Sequence, residues 1–286
     1  MKNISVVIPT FNGCHLLQES LPFIYGALNG TKSEIIVVDN GSSDSSLLWL
    51  KTQKVKIIAL AKNYGFTKAC NEGAKIAQNA LILFLNNDCL IPPNLVADLA
   101  KFLETQKLVA TQPVVYQLKR NEKNRKLLNK EELKNLSLGA SIENIGYFVD
   151  LKFAKVITIK DRNSCFAQWN NRYLYGLSGT CLLIEKKTFL SIGGFDESFH
   201  SYLEDVDLFI RLEKAKVIFK PCLDCWCLHY HLSTSSKMGS YKYRQDLKNW
   251  IKIISKNYSW QQKLIFLPFL LIERFKNLSG LLKHLF

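Results

Sequence analysis

The sequence predicts an α/β fold built on a doubly wound, mostly parallel sheet, and three observations lead there. Short apolar runs alternate with longer segments of helical periodicity from the N-terminus to about residue 104. The run Leu81–Leu85 is apolar at every position, which suits a strand buried on both faces, as in a parallel sheet. Each apolar run also stops at a polar cluster, and in open α/β sheets the carboxyl ends of the strands are where ligands sit.

In chain order, Ile4–Pro9 reads as the first buried strand and ends at Thr10-Phe11-Asn12-Gly13. A helix follows over His15–Leu28. Glu34–Val38 is a second strand, ending in Asp39-Asn40-Gly41-Ser42-Ser43-Asp44, and Val55–Leu60 is a third, ending near Asn63-Tyr64-Gly65. A helix from about Thr67 to Gln78 leads into the strand at Leu81, which ends in Asn86-Asn87-Asp88. Pro93 to about Glu104 is helical, with Pro at the first turn, where its missing N–H costs little. Right-handed crossovers put all these strand ends on one edge, so Thr10, Asp39, Asn63 and Asp88 share one crevice. From Gln117 to about Arg172 the sheet rhythm is lost, and Tyr175–Ile184 resumes strand character.

The composition narrows the partners. Hydrophobic residues make up 48% of 286, ample for a large core. Thirty-eight Lys and Arg against 24 Asp and Glu give +14, which favours anionic partners. No RNA- or DNA-binding motif accompanies that charge, which argues against nucleic acid. Eight scattered Cys lack the spacing of a disulfide framework and point to a reducing compartment. MKNISVVIPT is too short an apolar run for a signal peptide, and no stretch reaches the ~20 apolar residues of a spanning helix.

Asp88 is a hard oxygen donor suited to a divalent cation that also holds phosphate oxygens. Asp39 directly ends a strand, where a carboxylate can accept from a base imide N–H or a ribose hydroxyl. Asp44 reads as an N-cap of the next helix. The dinucleotide fingerprint and the P-loop are both absent, which weighs against NAD and P-loop ATP sites. Ser201 and Glu204 fit a capping box, with Asp205 ionised in the first helical turn and Asp207 spaced to pair with Arg211. Cys225, Cys227, His229 and His231 would share one face of a strand, but residues in a straight line cannot surround a tetrahedral zinc ion. Buried cysteines are the preferred reading.

The series Pro9-Thr10-Phe11-Asn12, Val38–Asp44, Asn63-x-Gly65-Phe66 with Ala69-x-Asn71-x-Gly73, and Asn86-Asn87-Asp88 resembles the family 2 glycosyltransferases of GT-A fold, in particular non-processive, rhamnosyltransferase-like members. The resemblance resumes at Gly179–Asp207 and continues weakly to about Asn249. It implies a nucleotide-sugar half over 1–115, a variable insert over 116–175 and an acceptor half over 176–239, followed by basic, amphipathic helices over 240–286. On the donor side it implies Pro9, Thr10, Asn12, Asp39, Asn63, Lys68, Asn71 and Asn87, with Asp39 against uracil or thymine. Asp88 would end the metal motif for Mg²⁺ or Mn²⁺, with Asn86 where many members carry Asp. A histidine, His229 or His231 with a lean to His229, would reach the metal or diphosphate. Gly179, Gly194, Phe195, Asp196 and Glu204 would face the acceptor, and Asp205 in Glu204-Asp205-Val206-Asp207-Leu208 would be the general base.

The activity implied is inverting transfer of one sugar from a UDP- or dTDP-sugar to a hydroxyl of a glycan or lipid-linked acceptor, since the Q-x-x-R-W motif of processive members is missing. A non-catalytic nucleotide-sugar-binding module with the same fold is the alternative, and Asn86 is its support. Lys119–Lys134, with seven basic and three acidic residues, reads as a solvated helix or else as a basic flap near an anionic acceptor or a membrane. Tyr241–Lys256 reads as a basic helix. Trp260–Phe286 is amphipathic and either packs on the domain or lies in a membrane interface. The net charge tips the expectation to a cytoplasmic protein held peripherally on the inner face of the cell membrane.

Overall fold

The computed structural model describes residues 2–118, 131, 133, 135, 140–163, 173–230 and 239–283. In the first half the strands and helices fall where periodicity puts them. They run β1 (Ile4–Thr10), α1 (Cys14–Leu28), β2 (Glu34–Asp39), α2 (Ser46–Leu50), β3 (Lys56–Ala59), α3 (Phe66–Ile76) and β4 (Leu81–Leu85). The four strands pair in parallel in the order β3-β2-β1-β4. All five residues of β4 are buried. Alternation divides them: Leu83 and Leu85 face one core with Leu17 and Leu21 of α1, whereas Ile82 and Phe84 face the other with Ala69 and Cys70 of α3.

The chain continues through β5 (Cys89–Leu90), α4 (Leu95–Thr105), β6 (Ala110–Thr111) and β7 (Pro113–Gln117). Helix α4 starts two residues after Pro93, so the proline stands before the helix instead of in its first turn. Between Gln117 and Arg172, where the sequence shows no sheet rhythm, the structure has three strands: β8 (Ser141–Asn144), β9 (Tyr147–Asp150) and β10 (Lys155–Thr158). Each is four residues long, too short for a two-residue period to register. The charged run Lys119–Lys134 lies almost wholly outside the described residues.

Tyr175–Ile184, read above as one strand, is two. β11 (Tyr173–Gly176) joins an antiparallel sheet of order β10-β9-β11. β12 (Cys181–Glu185) crosses to the main sheet, antiparallel to β4 on one side and β6 on the other. The break falls at Leu177–Thr180, which later proves to be the point where the two halves of the site meet. Then follow α5 (Lys186–Ser191), α6 (Glu204–Lys214), β13 (Cys222–His229), α7 (Gly239–Asn257) and α8 (Trp260–Lys283). β13 lies between β5 and β7 in a second mixed sheet, β5-β13-β7-β8.

The spacing of Asp207 and Arg211 does produce a pair, and it does more than brace the helix. Arg211 Nε donates to Asp207 Oδ2 at 2.8 Å, while its two terminal nitrogens donate to the carbonyls of Ile192 at 2.7 Å and Gly194 at 2.8 Å. Asn257 of α7 donates to the other oxygen of Asp207 at 3.0 Å. One guanidinium thus ties α6 to the turn after α5, and its partner carboxylate ties α6 to α7. Arg211→Leu is expected to lower unfolding free energy by about 2–3 kcal/mol, because charge-assisted bonds are lost and buried carbonyls are orphaned. Urea denaturation at neutral pH measures it.

Candidate active site

The strand ends open into a crevice of about 670 Å³. Thr10, Asn12, Asn63, Asn86, Asn87 and Asp88 line one side, and His200, Ser201, Tyr202 and Tyr241 line the other. Thr10, Asn63 and Asp88 therefore do converge as the strand order requires, and Asn87 Nδ2 donates to Thr10 Oγ1 at 2.9 Å across the β1–β4 pair. Pro9 and Asn12 also lie on the wall.

The donor-side loops brace one another. Asn12 sits at φ 50, and its side-chain oxygen accepts from the Ser43 N–H at 2.7 Å. Asn40 donates to Asn63 Oδ1 and to the Gly65 carbonyl, both at 3.0 Å. Gly65 has φ +93, and a Cβ there would stand 2.4 Å from the His200 carbonyl, so glycine is what lets this loop close on the opposite wall. Asp44 exceeds its expected capping role: its two oxygens accept from the N–H groups of Ser46 at 2.9 Å and Cys14 at 3.1 Å, the starts of α2 and α1. Burial opposes that charge, but the hydrogen bonds win and hold the carboxyl below its usual range. Asp39 is buried beneath the wall. One oxygen accepts from the Ser42 N–H at 3.2 Å, and the other is buried with no hydrogen-bond partner among the described residues. An orphaned carboxylate oxygen at this place calls for a donor from outside the protein.

At the end of β4, antiparallel pairing of β13 with β5 sets His229 opposite Cys89 and thus beside Asp88. His229 Nε2 lies 3.1 Å from Asp88 Oδ1, and Asn86 Nδ2 lies 3.5 Å from the same nitrogen. On its other side Nδ1 lies 2.9 Å from Glu143 Oε2. Burial works against a charged imidazole here, yet the two carboxylates push its pKa up to about 10. The charge that favours a proton also favours a divalent cation in its place. Donor atoms of Asp88, Cys89 and His229 lie within 4.8 Å of one another. Burial pushes the Cys89 thiol up, so the thiol stays protonated and is a poor ligand for a hard cation. Asp88 and His229 are the fitting pair, and the Asn86 amide beside them could add its oxygen only after turning, because its nitrogen faces His229. The zinc arrangement weighed above does not form among the described residues: Cys225 faces Cys222, with sulfurs 2.6 Å apart, and Cys227 faces Cys181 and Cys89. His231 and Ser233–Ser236 lie outside the described residues.

The second carboxylate arrives through the break between β11 and β12. The Asn86 N–H donates to the Thr180 carbonyl at 3.0 Å, and the neighbouring Gly179 N–H donates to Asp205 Oδ2 at 3.2 Å. One backbone–backbone bond and one bond from a backbone N–H to a side chain thus link the end of β4 to Asp205. The Val206 N–H holds Asp205 Oδ1 at 2.8 Å. Burial raises Asp205 to about 6, although those N–H groups pull the other way. Burial and then the Asp205 charge raise Glu204 to about 8. Burial and mutual repulsion thus lift both adjacent carboxyls above the ordinary carboxylate range, Glu204 further than Asp205. The predicted capping box is absent. His200, Tyr202 and Leu203 all take left-handed backbone, with φ 63, 67 and 64, so Leu203 becomes the N-cap and Glu204 the first helical residue. Ser201 instead lies 3.4 Å from the Tyr241 hydroxyl.

This geometry has relatives. The family model for Glycosyl transferase family 2 matches residues 5–174. The chain belongs to glycosyltransferase family 2. The matched stretch holds the crevice wall formed by the ends of the parallel strands, Asp88 included, and ends before Gly179, Asp205 and the opposite wall. A dolichol-phosphate mannosyltransferase of Pyrococcus furiosus is 32% identical over 113 residues, covering 37% of this chain and 32% of that protein. An N-acetylglucosaminyl-diphospho-decaprenol L-rhamnosyltransferase of Mycobacterium tuberculosis is 56% identical over 39 residues, 14% of this chain and 13% of that one. The chain therefore aligns with a third or less of these relatives. A mannosyltransferase of Pyrobaculum calidifontis, solved with GDP-Man and Mn²⁺, shares the fold at a TM-score of 0.61 and 16% identity, over 98% of this chain and 72% of that one.

Within this family 2 fold, several residues expected at the ligands are engaged elsewhere. Asn71 donates to the Phe195 carbonyl at 2.7 Å and accepts from the Phe195 N–H at 3.0 Å, which fastens the Gly193–Phe199 loop to α3. Lys68 pairs with Glu72 at 2.9 Å and Glu197 at 3.3 Å. Gly194, at φ +65, gives Asn71 its room, and Phe195 is buried against Phe84. Asp196 accepts from the Ser198 N–H at 2.9 Å and pairs with Lys256 of α7.

Two residues that matter here had no motif to mark them. Glu143 lies on a four-residue strand in the segment without visible rhythm. Asn249 is fully buried on α7, and its amide donates to the carbonyls of Phe199, Ser201 and Tyr202 at 3.3, 2.9 and 2.7 Å. A polar residue beside Trp250 on the buried face of that helix is the signal that could have found it. Outer carboxylates that orient a ligating histidine are worth about 10–100-fold in metal affinity. Glu143→Ala should weaken Mn²⁺ binding by about that factor and Glu143→Gln by less, since its amide oxygen still accepts from Nδ1–H. Electron paramagnetic resonance titration of free Mn²⁺ reads both; equal affinities in all three proteins would remove His229 from the cation site.

Proposed function

We propose that this family 2 member is an inverting transferase that moves one sugar from a UDP- or dTDP-sugar to a hydroxyl of a glycan or lipid-linked acceptor. The observation that carries the reading is the link from Asn86 through Thr180 and Gly179 to Asp205, which brings a carboxylate base up to the cation-binding strand end. The unpartnered oxygen of Asp39 fits the imide N–H that uracil and thymine share. Asp88 and His229, with the amide of Asn86 turned towards them, would hold Mn²⁺ or Mg²⁺, which when bound neutralises charge on the departing diphosphate. Two relatives named for dolichol-phosphate and diphospho-decaprenol substrates support a lipid-linked acceptor.

Asp205 takes the proton of the acceptor hydroxyl as that oxygen attacks the anomeric carbon opposite the nucleoside diphosphate. The C–O bond to the diphosphate breaks, its electron pair leaves with the phosphate oxygen, and the sugar is inverted. With a pKa raised to about 6, Asp205 is ionised at neutral pH and more basic than an exposed carboxylate. Asp205, not Glu204, is the carboxylate held by the Gly179 N–H at 3.2 Å, which supports giving it this part.

Removing a general base typically costs about 10²–10⁴-fold in rate, so Asp205→Asn should lose at least about 100-fold in kcat with little change in donor KM. The base works only when deprotonated, so wild-type kcat should fall as pH drops through about 6 and level off above it. Steady-state assays of nucleotide release across pH test both. Wild-type turnover in Asp205→Asn would remove the residue from the chemistry, and tight nucleotide binding without turnover in the unaltered protein would favour a binding module.

A further inference from the structure

Helix α8 packs on the rest of the chain by one side only. Leu270 is buried, Arg274 reaches over the Trp250 ring of α7 and donates to the Ala154 carbonyl at 2.7 Å, and Asn277 donates to Asp246 at 2.6 Å. The other side is apolar and, among the described residues, uncovered. Trp260, Leu264, Leu271, Phe275, Leu278 and Leu282 recur at spacings of three, four and seven along one face. Their exposures run from 39% at Leu278 to 74% at Phe275. The helix has 24 residues and is therefore about 36 Å long. A continuous apolar face of that length is unlike the scattered single hydrophobics of an ordinary surface.

What covers the face is argued from charge. Residues 239–286 contain nine Lys and Arg and only two acidic residues, Asp246 and Glu273, and both acids already face partners on these helices. Lys152 sits 3.7 Å from the centre of the Phe269 ring, adding a further cation beside α8. A second copy of the chain would bring the same positive rim against itself. An anionic surface would be attracted, and an apolar stripe rimmed by cations is the form that lies in the headgroup region of a bilayer. No described helix is long and apolar enough to cross a membrane. We infer that the exposed face of α8 docks the protein on an anionic lipid bilayer, with the helix lying in the plane of the interface. The inference deepens the proposed function and rests on its lipid-linked acceptor for its purpose, since docking brings the crevice to the surface where such an acceptor is anchored.

Flotation of the full chain with vesicles tests this without any turnover. Vesicles of phosphatidylcholine with phosphatidylglycerol should carry the protein up the gradient, those of phosphatidylcholine alone much less, and high salt should weaken the binding. Leu271→Glu and Phe275→Glu should each weaken partitioning by about tenfold, whereas Leu48→Glu, exposed on α2, should not. Because all three side chains are exposed, melting temperatures should stay close to wild type and separate loss of docking from loss of fold. Absence from the anionic vesicles, or equal flotation by the α8 variants, would overturn the inference. So would a dimer in sedimentation velocity that those variants dissolve, because a second copy would then own the face. Nucleotide release from the same preparations keeps the two readings apart: docking without turnover counts against the transferase, and turnover without docking counts against the membrane.

Discussion

The double burial of β4 is the constraint on which the site depends. Its five apolar residues leave it no freedom of register, because a one-residue slip would exchange its two core faces. With β4 fixed, its end is fixed, and Asn86, Asn87 and Asp88 emerge at one place. From there pairing reaches outward in each direction. Asn87 bonds to Thr10 on β1, Asn86 bonds to Thr180 before β12, and the short β5 that follows Asp88 receives β13 with His229. Four segments distant in sequence meet because one strand is fixed in register.

The opposite wall is assembled under strain. Three non-glycine residues in the left-handed region, His200, Tyr202 and Leu203, stand just before the helix that presents Asp205. Such residues cost about 1 kcal/mol or more each and persist only where their surroundings over-determine them. Here the surroundings are visible. Asn249 binds three carbonyls of the segment, the Tyr241 hydroxyl lies 3.2 Å from His200 Nδ1, and Thr67 donates to the His200 carbonyl at 3.3 Å. Helix α7, which supplies Asn249 and Tyr241, also carries α8. Helix α7 therefore braces the segment that leads into Asp205, across the boundary expected near residue 240.

The parallel half of the fold was legible because its signals are strong and local: long apolar runs, three helices of eleven or more residues, and turn chemistry at each strand end. The crevice followed from topology alone, which is why Thr10, Asn63 and Asp88 were found without knowledge of any contact. Legibility failed where a contact is set by residues far apart in sequence. Asn71 and Lys68 stand in a recognisable motif, yet their side chains are engaged by Phe195 and Glu197, more than a hundred positions on. Ser201 and Glu204 have capping-box spacing, but left-handed backbone moved the helix start past them. Glu143 carried no local pattern, and its proximity to His229 exists only because β7 joins β8 to β13.

On the proposed reading the crevice binds a nucleotide-sugar and activates it at the Asp88 end while Asp205 waits on the acceptor side. A donor screen tests it most directly. The protein would be incubated with Mn²⁺ and UDP-, dTDP- and GDP-sugars in turn, and release of nucleoside diphosphate followed for the wild type and for Asp88→Ala. Slow release from a uridine or thymidine donor, abolished by chelation of the metal and by Asp88→Ala, is the result expected. Release that survives both changes, or no binding of any nucleotide by the folded protein, would contradict it.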